Sequence, residues 1–92
     1  MSHFAVELVY GPDRARLEEV RPAHREYAKR LAEEGVLLAG GPWADDSGAM
    51  LVYSATDVDE LRGVLDADPY TPAGVIEKVT IREWTPRTGQ WL

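Results

Sequence analysis

Ninety-two residues supply one modest hydrophobic core, and ten Lys or Arg against sixteen Asp or Glu leave a formal net charge of -6. That balance repels phosphate backbones and anionic lipid, so the expectation is no nucleic-acid partner and no membrane partner. The absence of cysteine excludes a disulfide framework, a thiol nucleophile and a thiolate metal site.

The start, Met1-Ser2-His3-Phe4, has no basic region leading into an apolar run, and no apolar stretch reaches membrane-spanning length. A soluble cytoplasmic protein is the expectation. Residues 1–92 read as a single domain, with 85–92 as a C-terminal tail. Phe4, Val6, Leu8 and Tyr10 alternate along a first strand over 3–10, which Gly11-Pro12 ends. Pro22 cannot donate within a continuous helix, so the sequence predicts a short helical stretch over 13–20, a break, and a helix over 22–34 stopped by Gly35. Segments 36–39 and 49–53 read as the two strands of a hairpin. Thr56 then caps a second helix running to about Asp66, with Val58, Leu61, Val64 and Leu65 as its apolar stripe. The last strand spans 74–84.

The order βαββαβ is that of an α+β, ferredoxin-like fold, a four-stranded antiparallel sheet with both helices on one face. The hairpin strands are apolar at both parities, as in Val36 to Ala39 and Met50 to Tyr53, whereas a sheet with one wet face alternates apolar with polar. A homodimer with facing sheets follows as the expectation. The tail, ending in Trp91-Leu92, then has two readings: an arm over the neighbouring subunit, or simple fraying.

Two proline-marked motifs carry the candidate chemistry: Arg21-Pro22-Ala23-His24 and Asp66-Ala67-Asp68-Pro69-Tyr70. With Pro22 as first helical residue, His24 lies in the first turn, facing inward with Tyr27 and Leu31, where the helix dipole favours neutral imidazole. Asp68, bonded to one ring nitrogen, would fix the tautomer and leave the second nitrogen for a substrate. The competing readings are a histidine satisfied by a cap or buried hydrogen bond, and an aspartate that merely organises an Asp-Pro turn. Gly40-Gly41 admits a ligand close to the backbone at Gly41, or else marks a bulge. Tyr10, Trp43 and Tyr70 form an aromatic pocket wall, or belong to the core. A metal held by His3, His24 and Asp68 requires the first strand to bring His3 close, and two histidines without ligand spacing give no such signal; the expectation is no metal. Nothing matches a nicotinamide, flavin or haem motif, so no cofactor is expected either.

These motifs, with the run 35–42, the Ser47-Gly48 turn and Ala73-Gly74-Val75, make the chain resemble the YCII-related (YciI-like) family over nearly its whole length. The resemblance implies a ferredoxin-like fold that dimerises into an α+β barrel, with His24 and Asp68 in the places of the family's active-site histidine and aspartate. It names no substrate. One branch of the family removes chloride from a chlorinated hydroxyquinol, and related dimeric barrels isomerise lactones. Tyr70 stands where many members have phenylalanine, which keeps the aromatic wall and adds a hydroxyl.

Two function classes follow. In the first, the chain is a cofactor-independent enzyme in which a His24-Asp68 dyad moves a proton during elimination, dehydrochlorination or isomerisation of a small cyclic or aromatic metabolite. In the second, it is a non-catalytic module that binds a small molecule or serves as accessory partner to another protein.

Overall fold

The alternation near the start of the chain becomes strand β1, Ser2–Tyr10, in a computed structural model that describes residues Met1 to Leu92. Strands β2 (Leu37–Pro42), β3 (Gly48–Ala55) and β4 (Ile76–Trp84) complete an antiparallel sheet in the order β2-β3-β1-β4. This is the ferredoxin-like arrangement. Register places Phe4 opposite Tyr53, Val6 opposite Leu51 and Leu8 opposite Ala49. All six are buried, and with Tyr10, Leu17, Leu31, Leu61 and Tyr70 they form the core between sheet and helices. A bulge between Leu37 and Ala39 shifts β2, so that Gly40 pairs with Leu51 and Gly41 with Met50.

The predicted break at Pro22 does not occur. Helix α1 runs from Arg14 to Glu33 with Pro22 inside it, capped by the Asp13 carboxylate, which accepts the Arg16 N–H at 3.1 Å. Leu17, Arg21, His24, Ala28 and Leu31 recur at intervals of three or four residues and are buried or half-buried, so one inward stripe spans the proline. Both Pro22 and Glu18, whose carbonyl loses its partner, are exposed. Water can serve the freed carbonyl there, and burial of the stripe outweighs the local loss. The consequence for His24 is direct: it sits mid-helix, away from the positive end expected to act on it. Gly35 does terminate α1, at φ +77°, with the Val36 N–H reaching back to the Leu31 carbonyl at 2.9 Å.

Helix α2, Val58–Asp66, is capped by Asp57 rather than Thr56; the Asp57 carboxylate accepts the Glu60 N–H at 2.9 Å. A charged acceptor makes the stronger cap. After Asp68-Pro69 comes a one-turn helix α3, Tyr70–Ala73, absent from the sequence reading, and β4 therefore starts at Ile76 instead of Gly74. No helix is long and apolar enough to cross a membrane.

Candidate functional site

The buried stripe of α1 presents one polar ring to the core, that of His24. Its Nδ1 lies 2.9 Å from Asp68 Oδ1 and 2.8 Å from Oδ2, joining residues 44 positions apart. The chain delivers Asp68 to this point through its turn chemistry. The Asp68 N–H caps α2 on the Leu65 carbonyl, and the Tyr70 N–H donates to Asp68 Oδ1 at 2.9 Å, an Asx-turn that locks the carboxylate. An ionised carboxylate only accepts, so Nδ1 carries the ring proton and Nε2 presents a lone pair.

Nε2 has no protein partner. No buried side-chain nitrogen or oxygen is left unpaired, so Nε2 is open to solvent even though the His24 side chain is only 15% exposed and that of Asp68 9%. The Tyr70 ring lies flat on the imidazole, 4.0 Å between centroids and 7° between planes, and meets Tyr10 edge-on at 6.2 Å. The Tyr70 hydroxyl accepts from Arg21 Nε at 3.2 Å. Arg21 is further held by Glu18 at 2.9 Å and Asp46 at 3.3 Å, and Asp46 also binds Arg14 at 2.7 Å. The Tyr70 bond is the first cause holding Arg21 more basic than usual; its own burial works against this, and Tyr70, Asp46 and Glu18 reinforce it through their charges. Burial, then Tyr70, pushes the Tyr10 phenol up, so that wall stays protonated. Burial is likewise the first cause raising Tyr27 and Tyr53, with the nearby Asp68 charge second.

His24, Tyr70, Tyr10 and Arg21 line a cleft of about 410 Å³ between α1 and the β2 side of the sheet. Tyr10, His24, Gly41 and Tyr70 reach it; Trp43 does not, its side chain half-exposed beyond the end of β2 while its backbone N–H donates to the Gly48 carbonyl. A cleft open at β2 needs no aromatic there. Asp68 lies behind His24, outside the lining. His3 alternates with the buried Phe4 and borders a groove on the opposite face of the sheet, so it does not join His24 and Asp68. No three His, Asp or Glu side chains gather to hold a metal.

Sequence reasoning gave no site role to Arg21, Arg25 or Lys29, all of which line the cleft, and of the Gly40-Gly41 pair it chose Gly41. At Gly40 a Cβ would meet the Leu51 side chain at 3.1 Å, whereas at Gly41 nothing lies within 4 Å. Gly40 is therefore the glycine that keeps the floor open. The three cations fall at successive fourth positions, a signal legible only once the helix is carried through Pro22.

The YCII-related domain matches residues 3–85. The chain belongs to this family. Protein YciI of Escherichia coli O6:H1 and Protein YciI of Shigella flexneri are each 36% identical to this YCII-related chain over 89 residues, covering 82% of it and 91% of the relative. Among solved structures, the 5-chloro-2-hydroxyhydroquinone dehydrochlorinase TftG of Burkholderia phenoliruptrix AC1100, in complex with 2,5-dihydroxybenzoquinone, superimposes with TM-score 0.75 at 24% identity, covering 90% of this chain and 93% of that one. Muconolactone isomerase gives 0.72 at 19% identity, covering 92% and 90%. At these identities the likeness is one of fold.

Proposed function

We propose that this YCII-related protein is a proton-transfer enzyme acting on a small cyclic or aromatic molecule, with His24 as the base and Asp68 as the group that orients it. The observation that carries this reading is the opposite fate of the two ring nitrogens: Nδ1 bound to a locked carboxylate, Nε2 unpartnered and open to solvent. In an elimination, Nε2 takes a proton from the carbon beside a leaving group. The C–H electron pair forms the new double bond as chloride departs, and the imidazolium returns its proton to water. In an isomerisation the same proton goes back to a different carbon. Either way, Asp68 holds the transient imidazolium, and the Tyr70 ring keeps the imidazole planar to its stack. The two enzymes that share the fold support this class of chemistry, one a dehydrochlorinase and one an isomerase.

The reading extends to a homodimer built through the uncovered face of the sheet. A groove on that face is lined by Leu38, Met50, Val52, Trp84, Trp91 and Leu92, and Trp91 is 94% exposed in the single chain. Facing sheets would cover these side chains. A monomer by light scattering at micromolar concentration contradicts it.

The catalytic reading is tested by incubating the protein with chlorinated hydroxyquinols and unsaturated lactones in D2O, following chloride release and C–H exchange. Turnover that falls in His24→Ala and Asp68→Asn, with the fold retained, supports the dyad. Binding with no conversion, or conversion indifferent to both substitutions, returns the protein to the class of binding modules.

A further inference from the structure

The chain carries sixteen acidic side chains, yet none lines the cleft, while Arg21, Arg25 and Lys29 all do. Arg21 is committed to Tyr70, Glu18 and Asp46. Arg25 and Lys29 differ: both are exposed, and neither forms an ion pair or a side-chain hydrogen bond. Four residues apart on α1, they stand about 6 Å from each other along the axis, on the rim beside His24. Like charges at this spacing weaken a helix, and although Glu26 and Glu33 lie one turn to either side of Lys29, neither comes within ion-pair distance of it. The opposite wall is apolar and narrow, formed by Leu37, Leu51 and the bare backbone at Gly40, and it faces the flat His24-Tyr70 stack.

We propose that the cleft selects anionic ring compounds, with Arg25 and Lys29 binding the negative group and the ring entering between the stack and the β2 backbone. The inference rests on the reading of this cleft as the ligand site and deepens it to a substrate class. In an acidic protein, a local patch of opposite sign both attracts such a ligand and orients it, placing the charge at the rim and the ring beside Nε2. Arg25 offers a planar fork to a carboxylate, and Lys29 a point charge. Tyr10 and Tyr70 contribute their rings.

The test compares benzoate with its neutral isostere benzamide by titrating both into the full chain, labelled with 15N, at low salt and reading amide shifts. Benzoate is expected to bind about tenfold more tightly than benzamide, with shifts concentrated on residues 21–32 of α1 and 37–42 of β2. In the Arg25→Gln, Lys29→Gln double variant the two affinities should converge through loss of benzoate binding alone. Equal affinities in the wild-type protein, or a benzoate preference that survives the double substitution, overturns the anion selectivity while leaving the dyad untouched. Shifts for both ligands away from α1 and β2 overturn the cleft as the ligand site, and the selectivity with it.

Discussion

Tyr70 is tied to His24 twice: its ring stacks on the imidazole at 4.0 Å, and its backbone N–H holds the carboxylate that the imidazole binds. One residue thus sets both the plane of the ring and the position of its partner. Tyr70→Phe keeps both ties and removes only the hydroxyl that Arg21 engages, so it should cost about 1 kcal/mol. Tyr70→Ala leaves a cavity beside the stack and should cost about 3–5 kcal/mol. Urea denaturation of the two variants separates these effects.

Asp68 imposes the Nδ1–H tautomer on His24. In 15N spectra of the ring, the neutral wild-type imidazole should show Nδ1 protonated and Nε2 bare. Asp68→Asn offers a donor as well as an acceptor and should populate the opposite tautomer. With a substrate in hand, the same variant should lose about 10²- to 10⁴-fold in turnover.

Two glycines of the hairpin should respond in opposite ways. A Cβ at Gly48 would clash with the Leu8 carbonyl oxygen, backbone that cannot rotate aside, while at Gly41 it would meet nothing within 4 Å. Gly48→Ala is therefore expected to destabilise by about 3 kcal/mol or more, and Gly41→Ala to stay within about 0.5 kcal/mol of wild type. Thermal melts of the pair give the comparison.

Pro22 costs α1 a hydrogen bond that an alanine would restore. The gain of about 3 kcal/mol from the helix is offset by about 1 kcal/mol from a less restricted unfolded chain. Pro22→Ala should therefore stabilise by about 2 kcal/mol, read as a raised urea midpoint with an unchanged slope.

Burial, and after it the charges of Asp68 and Tyr27, pushes the Tyr53 phenol above its ordinary value of 10.0. A raised phenol pKa means that the unfolded chain releases this proton first. The contribution is fully present below about pH 10 and declines as pH rises from there toward the folded value. Chemical denaturation between pH 8 and 11.5 should show stability falling at the upper end, with a shallower fall in Tyr53→Phe.

Strand β1, the hairpin and the stripe of α2 were legible because each is a local pattern: alternation over 4–10, the aspartate-rich turn at 45–47, and the spacing of Leu61, Val64 and Leu65; Gly40 to Pro42, read as a turn, instead continue β2, and Val58 lies exposed outside the stripe. The motifs around His24 and Asp68 were legible in the same way. Where local rules misled, a longer-range term outweighed them. Pro22 breaks a helix in isolation, but Leu17, His24 and Leu31 bury one continuous stripe against the sheet, and the proline sits on the wet side. The turn α3 was hidden because Tyr70 to Ala73 is too short to show a period.

By itself, then, the order of residues determined the βαββαβ succession, the acidic surface and the two side chains suited to proton transfer, all properties of neighbours within a few positions. Only tertiary structure decided that Nδ1 meets Asp68 while Nε2 stays open, that Trp43 stands apart from the cleft and that Arg25 and Lys29 stand at its rim with no carboxylate among the lining side chains. Those facts depend on how α1 crosses the sheet, and that crossing is set by the summed burial of residues far apart in the chain, which no local pattern encodes.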